Sequence, residues 1–110
     1  MKNYSANEIV LVRYPFSDLS SLKIRPAVVI SSPHASQDVI IVPLTSKTTQ
    51  LQEGEFVLRH WKAAGLNVPS ALKRGIFTIS KSIVIKFIGT LHDEDAHRLE
   101  LSVKSWLCWR

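Results

Sequence analysis

Two nearly unbroken apolar runs, Ala27 to Ser31 and Val39 to Leu44, constrain this chain more than any other feature. Both are rich in β-branched residues, which suit a pleated surface and lose side-chain freedom in a helix. The SPHASQD segment between them carries several turn formers, so the two runs read as consecutive antiparallel strands. A strand with one wet face alternates between apolar and polar residues. These runs hardly alternate, which puts them at the centre of the fold with both faces covered.

The rest of the chain repeats this alphabet of short apolar runs between turn-rich stretches, an all-β signature. Ile9 to Tyr14 (IVLVRY) is stopped by Pro15, and the following PFSDLSSLKIR is too polar and turn-prone to continue the strand, so it reads as a long exposed loop with a basic end. Polar residues from Thr45 to Gly54 make a second loop. Glu55 to Arg59 (EFVLR) reads as a short strand, and Trp61 to Ala64 ahead of Gly65 as one helical turn with a glycine stop. Ser70 to Lys73 and Ile76 to Ile79 flank Arg74 and Gly75, and Ser82 to Gly89 (SIVIKFIG) is a strong strand with Lys86 as its one charged position. A sheet of about five to seven strands is expected. With no repeat, low-complexity tract or linker, residues 1–110 read as one domain around one core.

The period changes near the C-terminus. Ala96, Leu99, Val103, Trp106 and Leu107 recur at three- and four-residue intervals, which places them on one face of a helix that can cover an open end of the sheet. Asp93, Glu94 and Asp95 fall where a helix N-terminus favours negative charge, and Thr90 or His92 is the candidate cap. Trp106 and Trp109 read as core or subunit-contact residues ahead of stacking platforms for a ligand.

Fourteen Lys and Arg against nine Asp and Glu give a formal charge of +5. A positive field attracts polyanions, so nucleic acid or an acidic protein segment is the partner to consider beside simple solubility. Cys108 is the single cysteine, and no Cys and His residues have the close pairwise spacing of a structural zinc site, so neither a disulfide nor a metal or other cofactor is expected. The N-terminus lacks a signal-peptide core, and no apolar run approaches the roughly 18 residues of a membrane span. A reducing cytoplasm is the expected setting.

Among groups suited to phosphate chemistry, arginine pairs two phosphate oxygens with its planar fork and stays charged. Of Arg13, Arg25, Arg59, Arg74, Arg98 and Arg110, Arg25 stands out: it lies between the basic loop and a central strand and immediately before Pro26, which restricts the local backbone. Thr45 and Ser46 lie at the exit of the next strand. Their hydroxyls can serve the same phosphate, or PLTS is a turn with side-chain-to-backbone bonds.

EIVLVRYPFSDLSSLKIRPAVVISS, then VIIVPLTS, then GLNVPSALKRGIFTISKSIVIKFIGTL, with a terminal helix, together resemble the PemK/MazF-like toxins of type II toxin-antitoxin systems over nearly the whole chain. The resemblance implies a mainly-β, SH3-like small barrel with short helices and a C-terminal α-helix, assembled as a homodimer and blocked by a cognate antitoxin. It implies ribosome-independent, sequence-specific cleavage of single-stranded RNA through the substrate's own 2′-hydroxyl, without a metal, leaving a 2′,3′-cyclic phosphate. It assigns catalysis to Arg25 and Thr45. RNA contacts are expected from Lys23, Ser46, Lys47, His60, Lys73, Arg74 and Thr78, while His34 is the less favoured loop histidine.

One departure stands out. Many such toxins carry an Arg-x-Asp where this chain has Leu72-Lys73-Arg74, so the carboxylate is missing, and a one-residue slip decides whether Leu72 or Lys73 takes the Arg position. A binding module of the same fold with weakened catalysis is therefore one alternative. An SH3-like peptide-binding barrel is another, disfavoured because Phe16, Phe56, Phe77 and Phe87 mostly read as core.

Overall fold

A computed structural model describes residues 3–14 and 23–109. Its elements are β1 (Glu8–Tyr14), β2 (Lys23–Val29), β3 (Asp38–Thr45), β4 (Ala71–Leu72), β5 (Phe77–Ser80), β6 (Val84–Thr90) after a 3-10 turn at Lys81–Ile83, and α1 (Asp93–Trp106). All pairings are antiparallel, in the order β4-β3-β2-β1-β6, with β5 also on β3. The expected mainly-β fold with a C-terminal helix is observed. Among the described residues β4 and β6 do not pair, so hydrogen bonds do not close the barrel.

The two apolar runs do lie at the centre. Val28, Val42 and Leu44 point into one cluster with Ile9, Leu58, Leu72, Leu91 and Leu99, and Ala27, Val29 and Ile41 into a second with Val10, Val12 and Ile79. One residue's neighbours along the strand thus enter opposite clusters, the two-residue period of a sheet covered on both faces. Helix α1 lays Leu99 into the first cluster, with Ala96, Val103 and Trp106 packed against it. Leu107 ends the helix as its C-cap and is 51% exposed, so it leaves the expected stripe.

Next to β6, the turn at residues 61–65 brings its backbone close to Ile88 and Gly89. Ala64 N–H donates to His60 O at 3.1 Å, the expected single helical turn, and Gly65 ends it at φ +95°. A Cβ on Gly65 would come within 2.8 Å of Ile88 O, and one on Gly89 would fall on the Ala64 carbonyl, so both glycines permit close backbone approach.

Three expectations fail here. Glu55 to Arg59 forms no strand, only the Val57↔Ala71 bridge, because Gly54 at φ +86° precedes it and Asp95 captures the N–H groups of Arg59 and His60 just after. Lys23, Ile24 and Arg25 are not loop: they pair with Tyr14, Arg13 and Val12 as the start of β2. The remainder of that expected loop, 15–22 with Phe16, lies outside the described residues. Finally, Phe56 is buried, but Phe77 and Phe87 are 40% and 38% exposed, so the aromatics are less uniformly core than their apolar surroundings imply.

Candidate functional site

The site begins with a missing hydrogen bond. Ile30 N–H donates to Ile40 O at 2.9 Å and Asn7 N–H to Val29 O at 2.7 Å, so even-numbered residues of β2 address β3 and odd-numbered ones address β1. Pro26 is even-numbered and has no N–H to offer β3. The β2–β3 ladder accordingly stops at Ala27↔Pro43. Beyond it β2 continues along β1 as far as Lys23↔Tyr14, while β3 takes β4 as its partner through Leu44↔Leu72 and Thr45↔Ala71. The two central strands fork.

A pocket of about 460 Å³ opens in the fork. Ile24, half-buried Arg25 and Pro26 line it from β2, Leu44 and Ser46 from the β3 side, and Lys86 from β6. Asn67 and Ser70 add polar groups, and the Ser70 hydroxyl donates to Val68 O at 3.0 Å. Among the described residues the lining holds two cations and no carboxylate. Apolar walls around fixed positive charge strengthen its attraction for an anion.

Thr45 is not in the lining. By alternation along each strand Thr45 lies on the face of Pro43, and Arg25 on the face of Pro43's partner Ala27, although no pairing joins the two. Thr45 Oγ1 accepts the Lys47 N–H at 3.1 Å, which is the turn bond anticipated for PLTS. That bond uses the oxygen as acceptor and leaves the hydroxyl proton to be donated.

The other expected contacts scatter. Lys23 is exposed two residues before Arg25 on the same strand, and exposed Lys47 follows Ser46. Leu72 is fully buried opposite Leu44, which removes it from any site role. Alternation therefore returns Lys73 to the face of Ala71 and Thr45. Lys73 N–H donates to Pro43 O at 2.9 Å, and Arg74 N–H to Glu55 Oε2 at 2.8 Å. Thr78 pairs with Ile40 and so faces away from Phe77, Ile79 and Ile41.

His60 is placed elsewhere. It stacks on His92 with ring centroids 3.7 Å apart, and its Nε2 lies 3.2 Å from Glu94 Oε1, at the N-terminal end of α1 and outside the pocket lining. His92 is the cap, accepting Glu94 N–H on Nδ1.

Sequence reasoning missed three residues that matter. Lys86 carried a signal, as the lone charge in an apolar strand, but its position in the pocket required the β1–β6 register that sets it opposite Leu11. Asn67 carried none. Glu55 supplies a carboxylate beside the segment that lacks one, and its acidity is changed by opposing influences. Burial pushes its pKa up, but the Arg74 and Gln52 N–H groups and the charges of Lys73 and Arg74 hold it below the ordinary value.

Residues 5–107 match the family model described as PemK-like, MazF-like toxin of type II toxin-antitoxin system. No curated protein matches the chain. Among solved structures, an endoribonuclease from a mycobacterial species, in complex with its cognate antitoxin, superposes at a TM-score of 0.73 with 15% identity, covering 100% of this chain and 98% of the other. Another mycobacterial endoribonuclease gives 0.75 with 15% identity, covering 99% and 95%. The Mycobacterium tuberculosis toxin MazF-mt6 gives 0.68 with 18% identity, covering 92% and 98%. At such identities the likeness is one of fold. Among the described residues no helix is long and apolar enough to cross a membrane.

Proposed function

Because this chain belongs to the PemK-like, MazF-like toxins of type II toxin-antitoxin systems, we propose that it is an endoribonuclease cutting single-stranded RNA at the β2–β3 fork. The observation that carries the reading is the shared pocket of Arg25, Lys86 and Ser46 with no carboxylate among its described lining residues. A carboxylate there would repel a phosphodiester. Two cations attract it and stabilise the charge that gathers on phosphorus as the bond breaks.

In this reading the substrate's 2′-oxygen attacks the adjacent phosphorus, the bond to the 5′-oxygen breaks, and the products are a 2′,3′-cyclic phosphate and a 5′-hydroxyl. Arg25 pairs with the non-bridging oxygens, and the Thr45 hydroxyl donates to one of them from across the fork. No histidine or carboxylate is among the described lining residues, so water accepts the 2′ proton and water returns one to the departing 5′-oxygen, while charge stabilisation carries most of the effect. Lys23, Ser46, Lys47, Lys73 and Lys86 hold neighbouring phosphates. Exposed Ile24 and Val68 offer apolar surface to splayed bases, which is where cleavage sequence is read. The working form is a homodimer in the cytoplasm, and a cognate antitoxin blocks it.

The test is to incubate the protein with a long single-stranded RNA in excess chelator and map both ends of each fragment. Cuts at a recurring short sequence, with cyclic phosphate on one side and 5′-hydroxyl on the other, are expected. Intact RNA retained by the protein identifies a binding module. Cuts that vanish in chelator overturn attack without metal help.

A further inference from the structure

Residues 66–70 bridge the seam between β6 and β4, two strands that do not pair among the described residues. At one end Gly65 sits against the Ile88 carbonyl of β6, and Leu66 N–H donates to Trp61 O at 3.2 Å. At the other end Ser70 O accepts Leu58 N–H at 2.9 Å, and Ala71 enters β4 opposite Thr45. Pro69 narrows the backbone choices of Val68 between them. The bridge is thus held at both ends, and Leu66, Asn67, Val68 and Ser70 from it line the fork pocket.

This wall differs in chemistry from the cations. Asn67 is exposed, and its amide has no hydrogen-bond partner among the described residues. A side-chain amide offers a donor and an acceptor side by side, which complements the edge of a nucleobase. Ser70 is only 3% exposed and has given its hydroxyl proton to Val68 O at 3.0 Å, so the oxygen has only lone pairs left to use. A fixed acceptor of that kind takes an N–H and rejects a carbonyl oxygen. At about 460 Å³ the pocket lies within the range of about 300–1,000 Å³ usual for small-ligand sites, so a base fits beside the phosphate that Arg25 and Lys86 attract.

We propose that Asn67 and Ser70 are specificity-determining residues: Asn67 pairs with the edge of one base, and Ser70 accepts an N–H of that base's exocyclic amino group. The pocket then takes adenine, cytosine or guanine and discriminates against uracil, the RNA base without such a group. A site built to hydrogen-bond a group on its substrate rejects the analogue that lacks it, because its own buried polar atom is left unpaired. The assignment rests on the reading of the fork as the RNA site. Exposed Val68 offers the ring an apolar surface in the same lining. Asn67 and Ser70 select which nucleotide is seated, while Arg25 and Thr45 act on the phosphate.

Cytosine and uracil share a ring and an outline, which makes them the cleanest probes. The affinities of the full chain for short oligodeoxycytidylate and oligodeoxyuridylate are measured by fluorescence anisotropy at one fixed salt concentration, so that the phosphate contribution is common to both. The parent should bind the cytosine oligomer at least about fivefold more tightly. Asn67→Ala, at an exposed position, should bring the two affinities together by weakening the cytosine oligomer, with melting temperature unchanged. Ser70→Ala should bring them together by admitting the uracil oligomer. Equal affinities in the parent, or a preference that survives either variant, overturns the assignment. These oligomers lack the 2′-hydroxyl, so the result does not depend on cleavage. RNA left uncut by a protein with the preference sinks the nuclease reading alone, and RNA cut by a protein without the preference sinks the base assignment alone.

Discussion

The fork between β2 and β3 and the N-terminal end of α1 are both places where regular pairing stops and polar side chains gather, but they resolve their charge differently. At the helix end each group has a partner: Arg59 and His60 share Glu94, and the backbone N–H groups of residues 59 and 60 share buried Asp95. At the fork neither Arg25 nor Lys86 has a carboxylate partner among the described residues. Partnered charge holds structure, and a positioned charge without a partner is available to a ligand. The two regions should therefore answer mutation in opposite currencies, one in stability and the other in RNA cleavage.

Asp95→Ala should break the comparison most violently on the stability side. It removes a fully buried acceptor and leaves two N–H groups unpaired, at roughly 1–3 kcal/mol each. A drop of about 3 kcal/mol in unfolding free energy by denaturant titration is expected, with cleavage per folded molecule unchanged. A variant as stable as the parent would mean that water satisfies those groups.

Arg25→Ala should do the reverse, lowering single-turnover RNA cleavage by about 10²-fold or more, as expected for loss of a charge stabiliser, with thermal melting nearly unchanged. Parental cleavage by this variant removes Arg25 from the mechanism. Lys86→Ala sharpens the point with a smaller effect, since a single phosphate contact is lost. Affinity for a non-cleavable RNA should fall severalfold, and the slope of log affinity against log salt should shrink by about 0.7. An unchanged slope would show that Lys86 meets solvent and not RNA.

Much of this was legible before any coordinates. The β-branched runs located β1, β2 and β3, because such residues at the sheet centre leave little choice of conformation, and the three-to-four period located α1, with His92 as one of two candidate caps. The fork itself was not legible. Pro26 and Pro43 are visible in the sequence, but which neighbour Pro26 fails to bond depends on the register. His60 was expected at the RNA surface since a loop histidine shows no sign of which way its loop packs, and that direction is set by Asp95. Asp95 read only as one of three acids suited to a helix N-terminus, because nothing local marks one of three adjacent acids as the buried one.

The smallest expected effect tests whether the partnered charges at the helix end contribute anything at all. Hydrogen bonding from His60, aided by the charges of His60 and Arg59, holds the Glu94 carboxyl below its ordinary value of 4.5 despite some opposing burial. A depressed folded-state pKa adds stability that is fully present above the unfolded value, so it should begin to fade as pH falls through about 4.5 and be gone below the depressed value. Glu94→Gln lacks this titration. Its melting temperature should therefore fall less steeply than the parent's across that acid window, while the two curves run parallel near neutrality. Because Glu94 is solvent-exposed, the separation should be slight. Identical acid limbs would show the pair with His60 to be geometry without energy, and would leave Asp95 alone holding the 59–60 segment to the helix.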